Sequence, residues 1–288
     1  MTSEVHENGR RAIRQVSWDF SGTVVVITGA ARGQGRAHAL AFARAGADLV
    51  LADAPKPMET IPYGLSSLAE LEATAGDCRA AGAKAVAVAC DVRDAEQVDA
   101  MVGTAIAEFG RIDVLVGNAG VCSVRDIVDM TEQMWDEIHD TNVKGVFLTT
   151  RAVARRMIEA RSGKIVLTGS VNSFAGVPGL SHYAAAKHAV AGYAKSLATE
   201  LAEYGITVTY VCPGAVDTPM LGVATAPGVR DDQGERMVGM TGSWNILEEG
   251  APPMQDIEIT QAVLWLSSDA AKYVTGSPII VDAGFTCK

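Results

Sequence analysis

The chain has 288 residues, of which 48% are hydrophobic, and its formal net charge at pH 7 is −10. This length and apolar content fit a single α/β domain with a large buried core. The negative charge argues against nucleic acid as a partner, because nucleic acid phosphates would be repelled. The sequence contains no apolar run of about 18 residues, so we expect no membrane span and no membrane partner.

The N-terminus and the cysteines bear on the cellular compartment. Residues 1–15 are polar and lack the apolar stretch of a signal peptide. The five cysteines show no Cys-x-x-Cys spacing, which argues against a disulfide framework. Cys90 and Cys212 lie in apolar runs and are expected in the core. We therefore expect free thiols and a cytoplasmic protein.

Strand and helix patterns alternate along most of the chain. Residues 1–20 are interpreted as an N-terminal arm, and residues 21–288 as one domain. Strands are predicted at 23–28, 48–53, 86–90, 113–117, 164–168, 207–211 and 278–281. Helices are predicted at 34–45, 95–109, 134–159 with an interruption at Asn142, 183 to about 204, and 260–267. Apolar, β-branched strands that alternate with helices predict the α/β class, as a single doubly wound Rossmann-type domain with a parallel sheet of about seven strands.

Two segments depart from this alternation. Residues 54–82 are too long for a plain helical crossover and carry three prolines before a helix can begin near Ser66. We interpret them as an insertion over the adenosine half of the cofactor, with Ile61, Tyr63 and Leu65 covering the nucleotide. A surface loop or an oligomer contact is the alternative. Residues 221–256 are rich in glycine and proline, and we interpret them as a substrate lid.

A glycine-rich turn follows the first strand and opens the first helix. Gly29, Gly33 and Gly35 would let the backbone approach a pyrophosphate, and the helix N-terminus would bind it. The second strand ends at Asp53, whose carboxylate can accept hydrogen bonds from ribose hydroxyls and would repel the extra phosphate of NADP. Asp53 could instead cap the strand end, and Arg32 could in principle bind that phosphate. The predicted cofactor is NAD.

A tyrosine and a lysine stand four residues apart at the start of a predicted helix. Tyr183 and Lys187 therefore share one helix face. A neighbouring ammonium lowers the pKa of a phenol, so this pair could move a proton on and off an alcohol oxygen. The hydroxyl of Ser170, at the end of an apolar run, could hold a substrate oxygen. An exposed helix pair is the alternative for the tyrosine and lysine alone.

These markers occur together with Asp91-Val92, Asn118-Ala119-Gly120, Asn142 and Pro213-Gly214. In that order and spacing the chain from residue 21 to its end resembles the short-chain dehydrogenase/reductase family. The resemblance implies cofactor contacts at Gly29, Arg32, Gly33, Gln34, Gly35, Asp53, Ala54, Asp91, Val92, Asn118, Ala119, Gly120, Tyr183, Lys187, Pro213, Gly214, Val216, Thr218 and Met220. It implies catalytic roles for Asn142, Ser170, Tyr183 and Lys187.

The resemblance also implies how the residues divide the work. Ser170 would bind and polarise the substrate oxygen, and Tyr183 would be the acid/base. Lys187 would bind the nicotinamide ribose and lower the pKa of Tyr183. Asn142 would break its helix and hold a water in a proton relay. Asp91 would hold the adenine amino group, although it could also cap the following helix.

A narrower resemblance rests on the segment from Ala30 to Arg36, on the 54–82 insertion, and on Ala186-Lys187-His188. These features are similar to the mycofactocin-associated branch, which includes carveol dehydrogenases and tends to retain NAD. The branch usually has His-Pro-Thr where this chain has Cys212-Pro213-Gly214.

The expected activity is the interconversion of a secondary alcohol and a ketone with tightly held NAD. The apolar lid favours a hydrophobic or terpenoid-like substrate. The alternatives are an ordinary NAD-exchanging ketone reductase and a cofactor-sensing binding protein. The family resemblance implies a homotetramer, and no metal site is expected because His182 and His188 lack partners at ligand spacing.

Overall fold

A computed structural model describes residues 16–225, 246–247 and 252–287, which form an α/β fold around one seven-stranded sheet. Its strands are β1 (Val24–Thr28), β2 (Asp48–Asp53), β3 (Ala85–Ala89), β4 (Val114–Gly117), β5 (Gly163–Thr168), β6 (Ile206–Pro213) and β7 (Pro278–Val281). Neighbouring strands pair in parallel in the order β3-β2-β1-β4-β5-β6-β7. The order reverses between β1 and β4, so a binding crevice is expected at the carboxyl ends of these strands.

Helices cover both faces of the sheet, and the predicted fold class is confirmed. They are α1 (Gly33–Arg44), α2 (Leu68–Ala80), α3 (Ala95–Phe109), α4 (Glu132–His139), α5 (Gly145–Ala160), α6 (Ser181–Leu201) and α7 (Asp256–Ser267). One core cluster joins α3, α5 and α6 to one face, and a second joins α1, α2 and α7 to the other. Val26 belongs to the first cluster and its neighbours Val25 and Ile27 to the second, as the alternation of strand side chains requires.

The long helix predicted at 134–159 is divided in the structure. A π-helical turn at Asp140–Lys144 separates α4 from α5. Such a turn marks one residue inserted into the helical ladder. The predicted interruption at Asn142 is therefore confirmed.

Another helix begins earlier than predicted. α7 begins at Asp256 rather than at residue 260, because the Glu258 carboxylate accepts the Gln255 N–H and caps its first turn.

The segment predicted as an insertion contains a helix that begins close to Ser66, as the sequence predicted. Residues 68–80 form α2, an ordinary crossover helix that packs on α1 and is capped by Ser67 and Glu70. The Thr74 hydroxyl ties it to the carbonyl of Ala31 at 2.9 Å. Only residues 54–67, which we call the flap, remain as an addition to the alternating pattern.

The two outer segments of the prediction fall largely outside the described residues. Residues 1–15 of the predicted arm lie outside the described residues. In the rest of the arm, Trp18 donates a hydrogen bond to Gln261, and Phe20 packs edge-on against Phe42. Most of the predicted lid, at 226–245 and 248–251, also lies outside the described residues. At its far end Met254 pairs with the backbone around Val216.

Among the helices that the structure describes, none combines the length and apolarity needed to cross a membrane.

Candidate active site

A cavity of about 250 Å³ opens at the carboxyl ends of the strands, where the strand order reverses. Its wall includes the predicted site residues other than Gly35 and Asn142. Those two lie just behind the wall and shape it. The residues that the sequence placed in one site are therefore brought together, although they are spread over most of the chain.

The turn between β1 and α1 forms one end of the cavity. Gly29 has a positive φ of 66°, and a Cβ on Gly35 would lie 1.9 Å from the Gly29 carbonyl oxygen. Only glycine allows this close approach of helix to turn. The residue before α1, Arg32, makes no side-chain cap within the described chain. The backbone N–H groups of the first turn are thus free to bind an anion.

Gln34 adds an independent sign of a ligand at this end. Its Oε1 is buried and has no hydrogen-bond partner among the residues that the structure describes, and Gln34 lines the cavity. A buried polar atom of this kind calls for a partner. The helix N-terminus and this amide fit the pyrophosphate and its surroundings in a dinucleotide.

Asp53 is positioned for both of the roles that the sequence left open. Its Oδ2 accepts the Ala31 N–H at 2.9 Å, and its Oδ1 accepts the Ala54 N–H at 2.8 Å and the Ser66 hydroxyl at 2.7 Å. It therefore fastens the strand end, and it also lines the cavity. A carboxylate oxygen has more than one lone pair, so Asp53 can still accept a ribose hydroxyl. Arg32 donates to the carbonyl of Gly64 in the flap.

Asp91 is held by a residue that the sequence reasoning missed. The Arg93 guanidinium contacts both of its carboxylate oxygens, at 2.6 to 3.1 Å. Burial would raise the pKa of Asp91, but the Arg93 hydrogen bonds and charge outweigh it and lower the pKa. The carboxylate is therefore fixed in its charged, accepting form on the cavity wall. Arg93 follows Asp91 by two residues, and only the folded turn shows that it reaches back.

Asn118 joins the two central strands below the cavity. Its Nδ2 donates to the carbonyls of Thr28 and Gly29, both at 3.1 Å. The Thr28 hydroxyl in turn accepts the N–H groups of Asn118 and Ala119. These bonds fix the carboxyl ends of β1 and β4 side by side.

The side chain of Asn142 holds the loop that follows β4. Its Oδ1 accepts the Val121 N–H and its Nδ2 donates to the Val121 carbonyl, both at 2.8 Å. The side-chain amide is therefore committed to the loop after β4. A Cβ on Gly120 would lie 3.0 Å from this oxygen and 3.7 Å from the Lys187 ammonium. Because Gly120 has no side chain, the Asn142 amide and the Lys187 ammonium can both lie close to this loop.

Tyr183, Lys187 and Ser170 meet at the other end of the cavity. The Lys187 ammonium lies 5.5 Å from the centre of the Tyr183 ring and donates to the Thr168 carbonyl at 2.8 Å. The Ser170 hydroxyl is near enough to the Tyr183 phenol to act on its pKa. All three residues are buried, so the exposed-pair alternative is excluded.

Burial dominates the titration of this group. It raises the pKa of Tyr183, and the hydrogen bond with Ser170 offsets only part of the effect. It lowers the pKa of Lys187 to about 8. The sequence predicted that Lys187 lowers the pKa of Tyr183, but the net direction in the protein alone is upward, because burial disfavours the phenolate.

The reactive end has an apolar wall. Tyr183 packs in a cluster with Cys122, Val124, Val177, Leu180 and Val223, and with the partly buried Tyr63 and Met220. Asn172 adds a polar group, because its buried amide lies 3.4 Å from the Ser170 hydroxyl. The sequence carried no signal for Asn172 or Cys122, which only the fold brings to the wall.

The flap, predicted to cover the adenosine half, also contacts the reactive end. Ile61 packs against Val121, Ile138 and Ala186, and the Tyr63 hydroxyl accepts the Cys122 N–H at 3.0 Å. Toward the adenosine end the flap contributes Ser66, the partner of Asp53. The expected covering residues therefore reach across the cavity to its reactive half.

Metal ligands form no cluster here: the described residues contain no group of three or more His, Cys, Asp or Glu side chains that could hold an ion. His182 instead lies within hydrogen-bond distance of Ser123, at 2.9 Å, and His188 of the Ala184 carbonyl.

Comparison with known proteins agrees with this geometry. The model of the short chain dehydrogenase family matches residues 23–227. The (−)-trans-carveol dehydrogenase of Rhodococcus erythropolis is 39% identical over 274 residues, covering 93% of this chain and 98% of that protein. The cyclopentanol dehydrogenase of Comamonas testosteroni is 37% identical over 264 residues, covering 91% and 96%.

A solved structure extends the likeness to three dimensions. The crystal structure of carveol dehydrogenase from Mycobacterium avium in complex with NAD superposes with a TM-score of 0.85 at 34% identity, covering 93% of this chain and 99% of that one. The family model covers more than half of the chain, and the relatives align over nearly all of it. The chain belongs to the short chain dehydrogenase family.

Proposed function

We propose that this protein is an NAD-dependent oxidoreductase that interconverts a secondary alcohol and a ketone. The observation that carries the proposal is that Tyr183, Ser170 and Lys187 line the same cavity as the α1 N-terminus and Asp53. A hydride acceptor bound at one end would thus meet an acid/base at the other. The names of the similar proteins, carveol dehydrogenase and cyclopentanol dehydrogenase, support the same reaction class.

The proposed roles at the reactive end follow from the contacts. Ser170 donates to the alcohol or ketone oxygen and orients it toward Tyr183. Tyr183, as phenolate, accepts the hydroxyl proton when the alcohol is oxidised and returns it when the ketone is reduced. NAD, when bound, supplies the hydride acceptor and a positive charge on its nicotinamide ring. Lys187 holds the nicotinamide ribose and contributes a second positive charge near the phenol.

The positive charges of Lys187 and the cofactor would offset the raised pKa of Tyr183. Burial disfavours the phenolate in the protein alone. A cation beside the ring favours it, so the base would form only when Lys187 and the cofactor are both in place. The alcohol would then be deprotonated only where a hydride acceptor is ready.

The substrate is proposed to be hydrophobic and alicyclic or terpenoid-like. The apolar cluster around Tyr183 supports this, because it offers the substrate aliphatic and aromatic side chains outside the Ser170–Tyr183 pair. Asp53 supports NAD over NADP, since its carboxylate would repel a 2′-phosphate.

We further propose that NAD is retained through many turnovers, as in the mycofactocin-associated branch. The support is the set of contacts that fasten the flap over the cavity: Ser66 to Asp53, Arg32 to Gly64, Tyr63 to Cys122 and Thr60 to Glu137. A fastened cover slows release more than it changes association. An electron acceptor other than free NAD would then regenerate the cofactor in place.

We also propose an assembly and a location for the protein. A homotetramer is supported by the family and by the exposed aromatic side chains of Trp135 on α4 and Phe147 on α5. A cytoplasmic location is supported by the free cysteines, of which Cys78, Cys90, Cys122 and Cys212 are buried and Cys287 is exposed.

A screen of alicyclic secondary alcohols tests the reaction. We expect NADH to form from alcohol and NAD, or an artificial electron acceptor to be reduced where NAD stays bound. If no alcohol of the panel is oxidised with either acceptor, the proposed function is wrong.

Retention is tested separately by denaturing the purified protein without added cofactor and assaying the supernatant for NAD(H). We expect close to one cofactor per chain. Ser66→Ala, which removes the hydrogen bond to Asp53, should release NADH faster than the wild type. Ser67→Ala is the matched control, because that hydroxyl contacts Glu70 instead. An empty wild type that exchanges NAD freely would favour the ordinary ketone reductase.

A further inference from the structure

The middle of the flap lies against the catalytic helix. Ile61 is 7% exposed and belongs to the same apolar cluster as Ala186 of α6. Tyr63 belongs both to this cluster and to the one that contains Tyr183. The Tyr63 side chain therefore connects the flap to the wall of the reactive cavity, which it also lines.

A hydrogen bond fixes where the Tyr63 ring stands. Its hydroxyl accepts the Cys122 N–H at 3.0 Å, and Cys122 follows the Gly120 turn that Asn142 secures through Val121. The phenol is thus fastened to the same loop that borders Lys187 and Tyr183. Burial raises the pKa of Tyr63, so it remains a neutral phenol beside the acid/base.

The neighbouring flap residues face the other half of the cavity. Gly64 accepts from Arg32 at the α1 end, and Ser66 donates to Asp53. Positions 63, 64 and 66 therefore contact the reactive end, the phosphate end and the ribose end in turn. A segment with this register cannot leave the ribose end without also displacing Tyr63.

We propose that Tyr63 is a specificity-determining residue of the alcohol site, which limits the size of the alcohol and ties that limit to the closed position of the flap. The inference rests on the proposed function and deepens it. With the flap closed, the ring fills the space beside Tyr183 and confines the substrate against Leu180. Cofactor exchange requires the flap to be displaced, and displacement removes the Tyr63 wall. The protein therefore cannot exchange its cofactor and bind an alcohol productively at the same time.

The test compares two alcohols of different size, cyclopentanol and the bicyclic borneol, in the wild type and in Tyr63→Ala. We expect the variant to have a KM for cyclopentanol at least about tenfold higher, since a lost pocket wall costs on the order of the 10–200-fold seen for single pocket groups. The kcat/KM for borneol relative to cyclopentanol should rise by a similar factor. Tyr63→Phe keeps the ring and should keep the wild-type preference, with faster NADH release because the Cys122 contact is lost.

Thr60→Ser is the matched control on the flap. It keeps the hydroxyl that donates to Glu137 at 2.6 Å on the outer side, so the flap stays fastened, and the residue does not line the cavity. It should leave the preference between the two alcohols unchanged. Tyr63→Leu, which retains apolar bulk, provides the same comparison should the alanine variant fold poorly.

The outcomes separate the inference from the function on which it rests. An active wild type whose size preference is unchanged in both Tyr63→Ala and Tyr63→Leu would overturn the role of Tyr63 alone. A change of the same size in Thr60→Ser would also overturn it, because a flap substitution outside the cavity would then have the same effect as loss of the ring. A wild type inactive toward every alcohol with every acceptor would overturn both.

Discussion

The Lys187 ammonium lies 5.5 Å from the centre of the Tyr183 ring but gives its hydrogen bond to the Thr168 carbonyl, at 2.8 Å. The carbonyl at the end of β5 thus fixes the cation beside the phenol rather than on its oxygen. The cation therefore acts on the phenol through space and does not occupy its oxygen, which can bond a substrate hydroxyl.

Removal of that oxygen is the most direct test of the site. Tyr183→Phe should lower kcat/KM by at least about 10²–10⁴-fold, the usual contribution of one acid/base. Circular dichroism and NADH binding should remain those of the wild type, because the ring stays in place.

Tyr210→Phe is the control for the phenylalanine substitution. The Tyr210 hydroxyl is buried in β6 without a hydrogen-bond partner among the described residues, so its loss should leave both activity and stability intact. Near-normal turnover in a well-folded Tyr183→Phe protein would refute the assignment of the acid/base.

Cofactor choice depends on the charge of Asp53. Asp53→Ala should lower the ratio of kcat/KM for NAD to that for NADP by at least about tenfold, because removing a like-charge contact of a few kcal/mol has at least that effect. The ratio is measured with one alcohol under both cofactors. Asp48→Ala, at the opposite end of the same strand, should leave it unchanged. A wild type that already prefers NADP would show that Asp53 is not the selecting group.

Two buried histidines predict that the fold is sensitive to acid. Burial lowers the pKa of His38 from 6.5 to about 3 and that of His182 from 6.5 to about 4. A histidine with a lower pKa in the folded than in the unfolded protein binds fewer protons when folded, so acid favours unfolding. Both contributions are absent above pH 6.5; they reduce stability as the pH falls to about 4, and for His38 on to about 3.

The measurement is the free energy of unfolding in urea between pH 7 and pH 4, where each histidine contributes up to about 1.4 kcal/mol per pH unit. His38→Gln should make this dependence shallower, since glutamine can replace the contact with Thr260 but does not titrate. His188→Gln, at an exposed position of α6, is the control for the substitution itself. An identical slope in wild type and His38→Gln would rule out this origin of acid sensitivity.

Local patterns determined the architecture and the identity of the site residues. The strand alternation, the glycine turn before α1, and the four-residue spacing of Tyr183 and Lys187 are relations between near neighbours. Each has one physical solution: a buried parallel strand, a free helix N-terminus, and a shared helix face. The interruption at Asn142 was likewise predictable once the family resemblance was recognised.

Only the tertiary structure decided the contacts between residues that are far apart in sequence. The bond from Tyr63 to Cys122, the hold of Asn142 on Val121 and the extent of the flap depend on which loops meet at the sheet edge. The direction of the Tyr183 pKa depends on burial, because the desolvation of a phenolate depends on every neighbouring atom. The sequence by itself therefore determined which side chains belong to the candidate site. The packing of distant segments decided which hydrogen bonds position these side chains and in which direction their pKa values shift.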